Sequence, residues 1–193
     1  MYRWSWKVAV FAAICAAVTE IAAGQAKLVA RRESEITPFG QFTYLRPDWG
    51  PDPNAGLTVG LAITPYIPLR VQPSLDLRFS NASGPVNTER TFSGGLKVAV
   101  RFARYHPYGI FEEGAGGIYF KHPMVNPNGT LYAKDASRIY VAGGGAEIDI
   151  HALWQMRVEF TQQYWNLKPP ALQPITASIG VTYRIPFRKG KMK

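Results

Sequence analysis

The chain has 193 residues and a formal net charge of +9 at pH 7, and 47% of its residues are hydrophobic and 13% aromatic. This length suits one domain, and this apolar content excludes an intrinsically disordered protein. A basic net charge is compatible with nucleic-acid binding. No helix-turn-helix, zinc-finger or RNP-type pattern occurs, so we expect no nucleic-acid binding.

The first 26 residues have the layout of a secretory signal peptide. Arg3 and Lys7 precede an apolar run over residues 8–18, and small residues follow as far as Ala26. Eleven apolar residues are too few for a helix to cross a hydrocarbon core, which needs roughly 20. We predict cleavage after Ala26, with a cut after Gly24 as the alternative.

Removal of this segment also removes the one cysteine, Cys15. The mature chain would then have a net charge of +8, because Arg3, Lys7 and Glu20 are lost with it. It would contain no disulfide, no thiolate nucleophile and no cysteine-ligated metal. We expect residues 27–187 to form one domain.

Apolar and polar residues then alternate along several segments of ten to thirteen residues, most regularly from Ile175 to Phe187. A period of two predicts strands with one apolar face, and this length is near that of a tilted strand crossing a bilayer. With Pro, Gly, Asn and Asp as turn signals, we predict eight strands, at 35–46, 56–66, 69–80, 90–103, 107–120, 138–150, 152–164 and 175–187.

The predicted connections alternate between short and long. Short ones fall at 67–68, 104–106 and 151, and long ones at 47–55, 81–89, 121–137 and 165–174. This pattern is typical of an all-β, antiparallel up-and-down transmembrane barrel, with tight turns on the periplasmic side and four loops outside.

Ten charged residues lie on the polar parity of these strands, and they are predicted to face the lumen as an ion-pair network. Five are acidic and five basic: Asp76, Arg78, Lys97, Arg101, Glu113, Glu147, Asp149, Arg157, Glu159 and Arg184. The one mid-strand charge on the apolar parity is Glu112. Either a bulge turns both Glu112 and Glu113 inward, or the fifth predicted strand is locally out of phase.

Aromatic residues on the apolar parity cluster at two levels. One group falls at the loop ends of the strands and the other at the turn ends, which predicts two interfacial girdles and favours a membrane barrel over a soluble lipocalin-like one. The two groups are Tyr44, Phe79, Phe92, Phe120, Tyr140 and Tyr164, and Phe102, Tyr108, Trp154 and Phe187.

The last predicted strand resembles the assembly signal of the small eight-stranded outer-membrane barrels, the class of the OmpA transmembrane domain, OmpX and the opacity proteins. Its matching residues are Ser178, Gly180, Tyr183, Ile185 and Phe187. The resemblance implies location in the outer membrane and recognition by the barrel-assembly machinery. A basic tail, residues 188–193, extends past the family's terminal aromatic position and is expected in the periplasm.

An eight-stranded barrel is only wide enough for its own side chains to fill. We therefore expect a lumen plugged by salt bridges and a structural or surface-interaction role for the four loops, whose ligand the sequence does not identify. A small gated pore is the alternative.

A second alternative is an enzyme that modifies lipid A, since barrels of this size include deacylases and acyltransferases. Such an enzyme needs a serine beside a histidine base. His106 and His151 fall on predicted periplasmic turns and His122 at the start of a loop, with no His-x-Ser pair on a strand. We predict no catalytic residue, no cofactor and no metal.

Basic residues near the upper girdle are suited to the phosphates of lipopolysaccharide. They are Arg46, Arg90, Lys121, Lys134, Arg138 and Lys168. Outer-membrane lipid and lipopolysaccharide are thus the predicted partners, with ordinary solvated loop charge as the alternative interpretation.

Overall fold

The computed structural model describes residues 34–48, 51–67, 69–125, 131–167 and 172–187, and within these ranges the chain is all β. The predicted signal peptide, the basic tail and Lys168 lie outside the described residues. The strands are β1 (Ser34–Arg46), β2 (Asn54–Thr64), β3 (Val71–Ser83), β4 (Asn87–Val100), β5 (Tyr105–Val125), β6 (Leu131–Asp149), β7 (Trp154–Trp165), β8 (Ile175–Tyr183) and β9 (Ile185–Phe187).

The strands form a closed antiparallel barrel. Each pairs with its neighbour in the chain, and β1 pairs with β2 on one side and with β8 and β9 on the other. Because β8 and β9 are separated only by Arg184, they act as one strand, and the barrel has eight.

The register fixes the tilt of these strands. Starting at Ile36 and following paired residues once around the barrel, the path returns to β1 at Arg46, ten residues further on. Such a stagger requires strands inclined to the barrel axis by about 35–45°. The path is Ile36, Ile63, Leu75, Leu96, Phe111, Ala142, Gln162, Ile175 and Arg46.

Within the part of the chain that the structure describes, no helix is long and apolar enough to cross a bilayer.

Two of the predicted long connections are wrong, because strand pairing continues through them. β3 and β4 stay paired up to Ser83 and Thr88, whose hydroxyls hydrogen bond at 2.9 Å, and only residues 84–86 link them. β5 and β6 continue past the predicted loop start, with a bulge between Tyr119 and Met124. We call the side that carries residues 84–86 the loop end and the opposite side the turn end.

Side chains alternate between a polar interior and an apolar exterior. Buried polar residues line the inside on every strand, whereas large exposed apolar residues such as Leu75, Leu96, Phe160 and Ile179 point outward. This is the reverse of a soluble domain, where an apolar interior faces a polar surface.

The fifth predicted strand is out of phase by one residue. Glu112 is fully buried in the lumen, whereas the side chain of Glu113 is 51% exposed on the outer wall. The lumenal assignment of Glu113 is therefore wrong, and so is the outward assignment of Tyr108 and Phe120, since Tyr108 is buried and Phe120 packs against the interior cluster. His106 is also buried within β5 and does not lie on a turn.

Candidate functional site

A cluster of ion pairs occupies the middle of the lumen. Arg78 contacts Glu159 at 2.5 Å, Glu112 at 2.8 Å and Asp76 at 3.2 Å. Arg157 contacts Glu159 at 2.7 Å and Asp76 at 3.2 Å. All five side chains are at most 6% exposed, so these charges are held by one another with little help from water.

The guanidinium of Arg157 lies against two aromatic rings. Its guanidinium lies 4.0 Å from the centre of the Phe39 ring and 4.9 Å from that of Tyr108. Its Nε donates to the Tyr108 hydroxyl at 2.9 Å, and that hydroxyl donates to Glu159 at 2.8 Å. Contact with two aromatic rings, together with hydrogen bonds from one planar guanidinium to a hydroxyl and two carboxylates, suits arginine and not lysine.

Further ion pairs lie towards the turn end. Lys97 contacts Glu147 at 2.7 Å, and Arg157 reaches the same carboxylate at 3.6 Å. Arg184 contacts Asp149 at 3.1 Å and Glu35 at 3.7 Å.

Two further contacts between oppositely charged or titratable side chains lie at the turn end of the lumen. Arg101 lies 3.5 Å from Glu35, and His106 Nε2 lies 3.2 Å from Asp149. Nine of the ten residues predicted for the lumen thus form ion pairs inside the barrel, six of them around Arg78 and Arg157 and three at the turn end, and Glu113 is the exception.

Above the ion pairs, hydroxyl groups line the lumen. Ser178 and Thr43 hydrogen bond at 2.9 Å, Thr43 and Thr58 at 2.6 Å, and Thr58 donates to Ser80 at 2.9 Å. They border a cavity with an empty volume of about 310 Å³, open solvent included. A second cavity, lined by residues that include Lys97, lies at the turn end, so the ion-pair cluster separates two small polar spaces.

An apolar cluster around Trp165 lies in the lumen near the loop end. Its side chain is fully buried and packs with Ile118 and Ile139. Gly116 leaves the space for the indole, because a Cβ there would clash with the ring. The indole nitrogen donates to Gln163 at 3.0 Å.

Sequence reasoning missed several of these lumenal residues. Glu112 falls on the apolar parity of the fifth predicted strand and lies in the lumen because that strand is out of phase. Tyr108 is predicted to face outward and Trp165 to lie in the connection at 165–174, and both predictions are wrong. Phe39 has no predicted role. For Glu35 a signal existed, since it is a charged residue on the polar parity of the first predicted strand.

The predicted lipopolysaccharide contacts lie near the loop end, as far as they are described. Arg46, Arg90, Lys121, Lys134 and Arg138 are all exposed. They differ in their surroundings: Arg138 pairs at 3.1 Å with Glu113 on the outer wall, whereas none of the other four has a salt bridge to a carboxylate in the described ranges.

The residues of the predicted assembly signal occupy both faces of the last strand. Ser178 points into the lumen, and Gly180 lies so close to the β1 backbone that a Cβ would clash with Gly40. Tyr183 contacts Trp154 with ring centres 4.8 Å apart, while Ile185 and Phe187 are exposed outward. Their role in assembly stays a prediction.

No group of histidine, cysteine and carboxylate side chains suited to a metal ion occurs among the described residues.

Comparison with known proteins identifies the fold. No protein-family model matches the chain, and no curated protein sequence matches it. Neisserial surface protein A is similar in structure, with a TM-score of 0.52 and 10% identity over 79% of this chain and 97% of that one. Ail, the attachment invasion locus protein of Yersinia pestis, has a TM-score of 0.50 and 15% identity over 79% and 98%.

A weaker match is the outer membrane enzyme PagL, with a TM-score of 0.42 and 12% identity over 77% of this chain and 99% of that one. The structural neighbours are small eight-stranded outer-membrane β-barrels, and this chain has the same fold. At such identities the likeness concerns the fold and not the activity.

Proposed function

We propose that this chain is an outer-membrane barrel with a plugged lumen, which serves a structural or surface-interaction role through its four loops. The observation that carries the proposal is the distribution of polarity. The interior is filled by ion pairs between Arg78, Arg157 and their carboxylates, while the strands present apolar side chains outward. A lipid bilayer favours an apolar outer surface, and charged side chains like those in the lumen would be unfavourable on that surface.

Chemistry on lipid A is less well supported. His106 is directed at Asp149, and no serine hydroxyl hydrogen bonds to a histidine in the described part of the chain. We therefore propose no catalytic residue.

Two tryptophans provide a direct test of the membrane-facing surface. Trp154 is 46% exposed on the outer wall, whereas Trp165 is fully buried inside. We expect lipids brominated on their acyl chains to quench the fluorescence of a barrel that keeps only Trp154, because bromine quenches at contact. A barrel that keeps only Trp165 is expected to be quenched far less.

Both variants have Trp4, Trp6 and Trp49 replaced by phenylalanine. Each variant also has the tryptophan that it does not keep, Trp165 or Trp154, replaced by phenylalanine. Equal quenching of the two barrels, or quenching of neither, would contradict the proposed embedding in lipid.

A further inference from the structure

The outer wall formed by β3 and β4 changes from apolar to polar in a single step. Its outward-facing pairs, taken from the turn end to the loop end, are Leu75 with Leu96, Leu77 with Gly94, Phe79 with Phe92, Asn81 with Arg90, and Ser83 with Thr88. This order of aliphatic, aromatic and polar pairs follows a bilayer from its hydrocarbon through its interface to its headgroups. Arg90 therefore lies at headgroup level, directly above an aromatic pair.

Arg90 is also held in place from two sides. Its Nε donates to Asn81 Oδ1 at 3.2 Å, and its guanidinium lies 5.4 Å from the centre of the Tyr119 ring. Gly117, the β5 partner of Arg90, leaves room for that ring, since a Cβ there would crowd it at 3.2 Å. The two terminal nitrogens of the guanidinium are left without a carboxylate partner among the described residues.

Arg138, an exposed arginine on β6, differs from Arg90 in one respect. Arg138 is neutralised by Glu113 at 3.1 Å, whereas Arg90 keeps its charge uncompensated. An arginine fork matches a phosphate geometrically, and a fork already oriented loses less conformational freedom on binding.

We propose that Arg90, oriented by Asn81 and Tyr119, binds the phosphate of an outer-leaflet lipid whose acyl chains lie over Phe79 and Phe92. Asn81 supplies a further donor through its amide nitrogen. The site rests on the proposed membrane location, because only a lipid brings a phosphate to this level with hydrocarbon beneath it. Of the six basic residues predicted to contact lipopolysaccharide, Arg90 is thus the proposed principal phosphate ligand.

The test is native mass spectrometry of the purified barrel in detergent, titrated with phosphorylated lipid A and with chemically dephosphorylated lipid A. Arg90→Gln is expected to weaken binding of the phosphorylated lipid by about 10-fold or more, the effect of losing a hydrogen bond to a charged group. Arg90→Lys should fall between the two, because it keeps the charge and loses the fork. The control Arg46→Gln removes an exposed cation that lacks these neighbours and should bind like the unmodified barrel.

Equal affinity of Arg90→Gln and the unmodified barrel would overturn the site, as would equal binding of the dephosphorylated lipid. Displacement of the lipid by millimolar inorganic phosphate would assign the site to free phosphate and overturn the lipid proposal. Heat-modifiable gel migration shows whether each variant still forms a folded barrel, so loss of the lipid site can be distinguished from loss of the barrel. A barrel that migrates normally but shows no phosphate preference loses this site and keeps its proposed function.

Discussion

Replacing Arg157 by methionine is expected to lower the free energy of unfolding by about 3–5 kcal/mol, the cost of leaving buried charge uncompensated. Four buried carboxylates in the middle of the lumen, Asp76, Glu112, Glu147 and Glu159, face three cations, Arg78, Lys97 and Arg157. Loss of Arg157 leaves two cations for four acids. The measurement is urea unfolding in phospholipid vesicles, followed by tryptophan fluorescence.

Two matched variants separate charge balance from packing. Arg138→Met removes an arginine whose side chain is 63% exposed and should cost less than about 1 kcal/mol. The double variant Arg157→Met with Glu159→Gln removes one charge of each sign and should be more stable than Arg157→Met alone, because fewer carboxylates are left unpaired. A small loss for Arg157→Met, equal to that of Arg138→Met, would show that the cluster does not hold the lumen together.

Replacing Trp165 by alanine is expected to cost about 3–5 kcal/mol, the range for removing a large buried aromatic side chain. The indole is fully buried against Ile118 and Ile139, and it fills the space above Gly116. Because the ring is packed inside the lumen near the loop end, we expect its loss to leave a cavity that the barrel wall does not collapse to fill. The same unfolding measurement in vesicles applies.

The neighbouring residue provides the control for this prediction. Tyr164 lies on the same strand but points outward and is 43% exposed. Tyr164→Ala removes an aromatic side chain of the girdle without opening the lumen, so its effect should be clearly smaller. If both substitutions destabilise the barrel equally, the apolar layer at the loop end is not a closure of the lumen.

The barrel itself was predictable because the large apolar residues of strands such as β3 and β8 lie on a single face. In the strand from Ile175 to Phe187 the alternation has no fault, and the structure places Thr176 and Thr182 inside and Ile179 outside accordingly. Lipid on one side and a narrow polar lumen on the other impose this pattern, so sequence parity is enough to assign the faces.

The phase of β5 was not predictable by the same rule. Both of its parities carry aromatic or aliphatic residues, since Tyr108 and Ile110 face the lumen while Phe111 and Tyr119 face outward. The apolar layer near Trp165 and the ring that stacks on Arg157 require apolar side chains inside the barrel. A rule that assigns every apolar residue to lipid fails where apolar side chains pack inside the lumen.

The sequence also does not predict which charged side chains contact one another within the lumen. Asp76 and Arg157 are 81 residues apart, and their contact depends on the ten-residue stagger of the closed barrel. Parity supplies the direction of each side chain but not its height. The strand register supplies that height, and it follows from all eight pairings together.

The most direct test of the plugged lumen is electrical recording from the purified barrel in a planar lipid bilayer. The proposed plug, formed by the ion pairs and the apolar cluster around Trp165, leaves no continuous aqueous path. We therefore expect the inserted monomer to show no steady conductance above that of the bare bilayer. A steady, large conductance from the inserted monomer would contradict it.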